Sequence, residues 1–128
     1  MQYEYFYGAQ AEQFSFYRIP KALFTEPNFR ELSTDAKVLY GILLDRMSLS
    51  LKNQWLDAQN KVYIIFTVEE IMDALNCANQ KATRLMVELE KQAGLIERKR
   101  QGLGRPNLIY VKNFAVTTNS KNCEKSDS

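Results

Sequence analysis

Residues 67–94 carry the pattern that most restricts what this chain can fold into. Thr67-Val-Glu-Glu70 has the form of a capping box, in which the threonine oxygen and the glutamate three residues on satisfy exposed backbone donors reciprocally. Val68, Ile71, Met72 and Leu75 then repeat at i, i+3, i+4 and i+7, and the pattern stops at Asn76-Cys-Ala-Asn79, which predicts about two turns of helix. Asn79 is suited to cap a second helix, where Ala82, Leu85, Met86, Leu89 and Ala93 share one face and Gly94 supplies a C-terminal stop. Two short amphipathic helices this close in sequence flank a tight turn, and the far face of the second one remains polar.

A β-hairpin is expected next. Leu95-Ile-Glu-Arg-Lys-Arg100 has strand character, Gln101-Gly-Leu-Gly-Arg-Pro-Asn107 supplies turn chemistry, and Leu108-Ile-Tyr-Val111 reads as the returning strand. Helix, turn, helix and hairpin together predict an α+β fold, a winged helix-turn-helix with its wing over 95–112. In a helix-turn-helix the second helix lies in the DNA major groove and offers its first residues to base edges. Those residues here are Asn79, Gln80, Lys81, Thr83 and Arg84. Glutamine can pair with adenine, arginine can fork onto guanine, threonine can meet a base edge or a phosphate, and lysine suits a phosphate. In the hairpin, Lys99, Arg100, Gln101 and Arg105 surround Gly102 and Gly104. Glycines let a backbone approach a duplex, while the cations meet phosphates or enter the minor groove. Taken singly, the polar helix face also fits a solvated helical pair, and the glycines also fit a simple turn. The conjunction is what points to duplex DNA.

The distribution of charge agrees. From Asn79 to Lys112 there are eight basic and three acidic residues, or +5, against nine and twelve elsewhere, or −3, within a net charge of +2. Such lopsidedness favours a polyanion, although a plain solvated surface would also accommodate it. Histidine is absent, which excludes Ser-His or Cys-His catalysis and removes the commonest metal ligand. Cys77 and Cys123 are far apart in sequence, so neither a disulfide framework nor a zinc site is expected. Glu69/Glu70 and Glu88/Glu90 are explained by helix starts and solvation, and Gly102-Leu-Gly104 lacks the lysine and helix of a nucleotide cradle. No enzyme, cofactor or metal is expected. No apolar run approaches the ~20 residues a membrane span needs, and the start of the chain lacks a signal-peptide pattern, so a cytoplasmic protein without a membrane partner is expected.

The remaining segments complete one domain. Tyr3, Tyr5, Tyr7, then Phe14 and Phe16, alternate with other residues and predict an aromatic hairpin over 1–18. Seven of the fifteen aromatic residues lie in the first seventeen positions, so something must cover them. The domain's own core and a homodimer interface through Tyr5, Phe6, Tyr7, Phe14 and Phe16 are both open readings. Lys21 to Leu32 suggests a short helical turn. Ser33 or Thr34 can cap a helix whose Ala36, Leu39, Tyr40, Leu43 and Met47 recur at helical spacing, with Val38, Ile42 and Leu44 widening the arc enough to make it central. Leu49 to Lys61 reads as a loop or ragged hairpin, and Val62-Tyr-Ile-Ile-Phe66 as a strand.

Several of these segments resemble one family. Phe16-Tyr-Arg-Ile-Pro20, Val62-Tyr-Ile-Ile-Phe-Thr67, Gln80-Lys-Ala-Thr83 and the stretch Gly94 to Tyr110 are similar to the amino-terminal domain of RepA-type replication initiators from plasmids of Gram-positive bacteria. The resemblance covers roughly 14–114, and the wing segment is its most specific part. It implies sequence-specific binding to repeated sites at a plasmid origin, commonly as a homodimer, and recruitment of host replication proteins through a separate carboxy-terminal domain. Residues 1–116 are then the DNA-binding domain, and the polar tail 117–128 reads as a linker toward that second domain. Two rival readings use the same fold: a transcriptional repressor, and an interaction module whose second helix contacts protein.

Overall fold

The computed structural model describes residues 2–8 and 13–115. The tail read as a linker, 117–128, and Cys123 with it, lie outside the described residues.

After a short α1, Ala22–Thr25, a 3-10 turn at Pro27–Phe29 leads to α2, Thr34–Lys52. Ser33 starts α2 by accepting a hydrogen bond from Ala36 N at 3.2 Å. The helix runs to Lys52, four residues into the segment expected to be a loop. Its first half buries Ala36, Leu39, Tyr40, Ile42 and Leu43, whereas Leu49 and Leu51 near its end are exposed, so it is central only over its first three turns. α3, Val68–Leu75, packs against α4, Asn79–Val87, which packs against α2, and a π-helical turn, Glu88–Gln92, extends α4 to Gln92. Strands β1, Ile96–Lys99, and β2, Leu108–Val111, then pair antiparallel, with Ile96 opposite Val111 and Lys99 opposite Leu108.

The core lies where these pieces meet. Leu39, Tyr40 and Leu43 of α2, Ile71 of α3, Leu85, Met86 and Leu89 of the α4 arm, and Ile96 and Ile109 of the hairpin are all fully or nearly fully buried. Tyr40 closes one side: its hydroxyl donates to Lys112 O at 2.7 Å, and burial pushes the phenol up to about 12.

Two expected strands come out differently. Val62–Phe66 forms no continuous strand. It joins the hairpin through one antiparallel bridge, Ile64 to Ile109, whose two hydrogen bonds measure 2.8 and 2.9 Å. Ile64 is the fully buried residue of the segment, and its pairing with the hairpin is confined to that position. A second bridge, Leu56 to Val62, closes the ragged hairpin anticipated between α2 and α3.

The amino-terminal hairpin is the larger correction. Neither 2–7 nor 15–18 is a strand. Tyr5, Phe6, Tyr7, Phe14 and Phe16 are all at least half exposed, from 50% at Phe14 to 83% at Tyr5, with edge-on ring contacts from Phe6 to Phe14 and from Phe14 to Phe16. Alternation gives a hairpin two faces, but an isolated pair of strands is marginal without something to bury one of them. The extended arm meets the body at Gly41, where any Cβ would stand 2.9 Å from both Arg18 O and Ile19 Cγ1.

The arrangement is a winged helix-turn-helix. Among the described residues no helix is long and apolar enough to cross a membrane, and no group of three or more Cys, Asp or Glu could hold a metal ion.

Candidate nucleic-acid interface

The turn between α3 and α4 sets the interface. The capping box at the start of α3 is formed in both directions: Glu70 N donates to Thr67 Oγ1 at 3.2 Å, and Thr67 N donates to Glu70 Oε1 at 2.9 Å. Glu70 also receives Arg46 of α2 at 2.6 Å, which ties the first helix of the pair to the central one. At the other end Asn76 turns left-handed, with φ 53°, a conformation that asparagine tolerates better than most residues. The chain re-enters helical geometry three residues later, at Asn79. Ala78 is the N-cap, without a side-chain hydrogen bond, and Asn79 is the first helical residue instead of the expected cap. Its carboxamide oxygen lies 3.5 Å from Thr83 Oγ1. The α4 amino terminus is thus left without a side-chain cap, and such a terminus has backbone N–H groups to spare.

Helical spacing sorts the side chains of α4. Ala82, Leu85 and Met86 point into the core, and Asn79, Gln80, Thr83 and Arg84 are exposed on the other side. Among the described residues Arg84 makes no ion pair. Lys81 differs from its neighbours: its ammonium sits 2.6 Å from Asp35 Oδ2 at the start of α2, drawn toward the body.

The hairpin presents its cations in several directions. β-Strand alternation places Arg98 on the face that Ile96 and Ile109 bury, and Lys99 on the opposite face with Glu97 and Tyr110. Lys99 there lines a hollow with Asp57 and Lys61 of the 53–63 loop. Asp57 organises that loop by accepting from Gln59 N, Lys61 N and the Tyr110 hydroxyl at 2.8 to 3.0 Å, and the Lys61 backbone hydrogen bond is the main cause holding its carboxyl below the usual range. Arg100 is exposed beyond the end of β1. Gln101 spans the tip, its amide donating to Pro106 O at 2.7 Å, so part of its hydrogen-bonding capacity is used inside the wing. Gly102 and Gly104 both have positive φ, which only glycine adopts without strain.

One groove joins the two halves of the site. Thr67 and Glu69 at the start of α3, Asn79 of α4, and Arg98, Arg105 and Asn107 of the wing line it together. Of the residues expected to contact DNA, the structure therefore brings Asn79 and Arg105 into one groove, sets Gln80, Thr83 and Arg84 on the exposed side of α4, ties Lys81 to Asp35, and turns Lys99 to the other side of the wing.

Arg98 was not singled out from the sequence. Its position depends on Glu90 in the π-helical turn: Arg98 Nε donates to Glu90 Oε1 at 2.8 Å, its Nη2 lies 2.7 Å from the same oxygen, and its backbone N donates to Oε2 at 3.2 Å. Desolvation pushes the Glu90 carboxyl up, but the hydrogen bonds and charge of Arg98 outweigh it and the net shift is downward. Glu88, two residues earlier, accepts from Ser33 N and Ser33 Oγ at 2.9 and 3.0 Å. A π-helical turn offsets successive side chains from α-helical register, and here its two glutamates hold α2 on one side and the wing on the other. Alternating carboxylates after the second helix were the only trace of this in the sequence.

Comparison with known proteins places this geometry. The model of the replication initiator protein A (RepA) N-terminus matches residues 15–125. The chain belongs to that family. The match runs past the described residues into the segment read as a linker. Among curated relatives of this RepA family member is a "41 kDa protein" of Lactobacillus helveticus, 32% identical over 92 residues, 72% of this chain. The chain corresponds to 26% of that protein's length. Three solved structures have the same fold. One described as the N-terminal domain of a DNA binding protein is 38% identical with a TM-score of 0.73, covering 94% of this chain and 92% of the other. A Rep-DNA complex is 39% identical with a TM-score of 0.72, covering 86% and 84%. An MDR initiator is 39% identical with a TM-score of 0.70, covering 93% of each.

Proposed function

We propose that this RepA-family domain binds double-stranded DNA in a sequence-specific way at repeated sites of a plasmid replication origin, and that this binding initiates plasmid replication in the cytoplasm. It acts by binding and not by catalysing a reaction. The observation that carries the reading is the outward face of α4: Gln80, Thr83 and Arg84 are exposed at an amino terminus without a side-chain cap while Leu85 and Met86 anchor the same helix in the core. Membership in an initiator family and a 39% identical neighbour described as a Rep-DNA complex support it.

Within this reading α4 selects the sequence, and the wing cations Arg100 and Arg105 hold phosphates. The exposed arm, with Tyr5, Phe6, Tyr7, Phe14 and Phe16, is the dimer interface, and a carboxy-terminal domain beyond this chain recruits host replication proteins. Two α4 helices ~34–36 Å apart would then reach successive major grooves on one face of the duplex.

Footprinting on DNA that encodes the full-length protein and its flanks tests the proposal. Protection of direct repeats is expected, and uniform weak protection without preferred sites would sink it. On a protected site, Arg84→Ala is expected to remove ~1–3 kcal/mol of discrimination between that site and random duplex, whereas Arg100→Ala weakens both alike.

A further inference from the structure

We infer that Arg98 is a phosphate contact of the DNA interface, held in place before DNA arrives by Glu90. The inference rests on the DNA-binding reading and adds to it a residue on the body-facing side of the wing. The side chain is 25% exposed and Glu90 17%, so the pair is mostly withdrawn from water yet open on one side. That open side is the groove between the starts of α3 and α4 and the wing.

A guanidinium has five N–H donors in a rigid plane. Glu90 takes the Nε edge, through contacts of 2.8 and 2.7 Å, and leaves the Nη1 side available. The same carboxylate fixes the Arg98 backbone through Oε2, so both the strand and the guanidinium are oriented by one group on the helix that reads the DNA. Asn79, Asn107, Thr67 and Arg105 place further donors around the groove, and Glu69 is its acidic member. A site with two guanidiniums and neutral donors suits a phosphodiester, which carries a single charge and several acceptor oxygens. A guanidinium already immobilised loses little rotamer freedom on binding, which makes Arg98 a stronger contact than a mobile surface lysine. The π-helical turn gains a role by the same argument, because it aims Glu90 at the wing.

The test is the salt dependence of binding by the whole chain to a random-sequence duplex of about two helical turns, which requires no knowledge of the origin sequence. Arg98→Gln removes the charge while its amide can still meet Glu90, and Arg98→Lys keeps the charge without the fork. For Arg98→Gln the slope of log affinity against log salt is expected to become shallower by about 0.9, one contact's worth, and for Arg98→Lys it is expected to stay as in the wild type. On a site protected in footprinting, where the register is fixed, ethylation interference should lose one phosphate position in the Gln variant. A Gln variant with the wild-type slope and the wild-type interference pattern overturns the inference, and so does an equal loss of slope in both variants, which would mark a structural role. If the Gln variant fails to fold, as read by circular dichroism, the interference pattern of the Lys variant decides: the phosphate position retained supports a direct contact, and its loss overturns it. A wild-type chain that binds no duplex would instead overturn the DNA-binding reading itself.

Discussion

The wing and the amino-terminal arm are both extended segments of alternating character, yet one is built into the body and the other lies on it. In the wing, Ile96 and Ile109 are almost fully buried, Ile64 pairs with Ile109, and Glu90 grips β1 at Arg98. In the arm, all seven aromatic rings are at least half exposed, and Arg18 and Ile19 closely approach Gly41 of the body. The difference shows what turns alternation into a sheet. A strand pair becomes stable when one face is buried against a third element, and the wing has α4 and residue 64 for that purpose. The arm leaves its aromatic rings exposed instead.

Destroying the wing's buried face is the most severe way to break this contrast. Ile109→Ala removes a fully buried side chain that touches both the sheet and the bridge from Ile64, and is expected to lower the unfolding free energy by ~2–5 kcal/mol. Phe16→Ala in the arm is expected to cost far less. Urea unfolding measured on both variants checks the pair, and comparable losses would mean that the arm is part of the core after all.

Gly41→Ala tests a place where the arm closely approaches the body. An added methyl would meet a backbone carbonyl and a side chain, both at 2.9 Å, and the carbonyl of Arg18 has no freedom to rotate away without moving the chain. Overpacking of this sort costs ~1–3 kcal/mol. The expected result is a destabilisation in that range with faster proteolysis within 13–19, while protease resistance of the wing is unchanged.

Much of this organisation was legible in the sequence, and the reasons for the rest are physical. The capping box, the helix pair and the two strands of the wing are set by spacings of three, four and two residues, which the sequence displays directly. The arm was misread because alternation is also local, and it does not reveal whether a third element exists to cover one face. The Glu88 clamp was not legible because its partner lies far along the chain, Ser33 across 55 positions, and the nearer Glu90–Arg98 clamp depends on a π-helical turn that α-helical spacing does not reveal. Lys81 illustrates the same limit within the site. Its place near the start of α4 was readable, but Asp35, which holds it, comes from another helix. Lys99 and Arg98 are adjacent in sequence, and only the register of β1 against β2 shows which one faces the groove.

The clamp at the wing has a pH signature. Glu90 has its carboxyl shifted downward in the folded chain, with the contacts from Arg98 overcoming desolvation. A carboxyl with a depressed folded value contributes stability that is present above its unfolded value, about 4.3, and is lost as pH falls through the folded value. Stability should therefore decline on acidification below that point, and Glu90→Gln should make the decline shallower. Denaturant midpoints taken at neutral pH and at a pH below about 4.3 measure this, and parallel acid losses in wild type and variant would show that the clamp stores no such energy.

The smallest effect expected on the folded monomer, and the one that decides what the arm is for, comes from removing it. A chain beginning at Phe14 deletes Tyr5, Phe6 and Tyr7 but no residue of the buried core, so its unfolding free energy at low protein concentration should stay within about 0.5 kcal/mol of the full chain. Sedimentation at high concentration should nonetheless separate the two, with the full chain sedimenting as a dimer and the shortened one as a monomer. Because aromatic rings are enriched at protein interfaces and the wing offers no comparable apolar surface, association should depend on the arm alone. Equal masses for the two chains would remove the arm from the interface and leave its exposed rings without a function in the proposed origin complex.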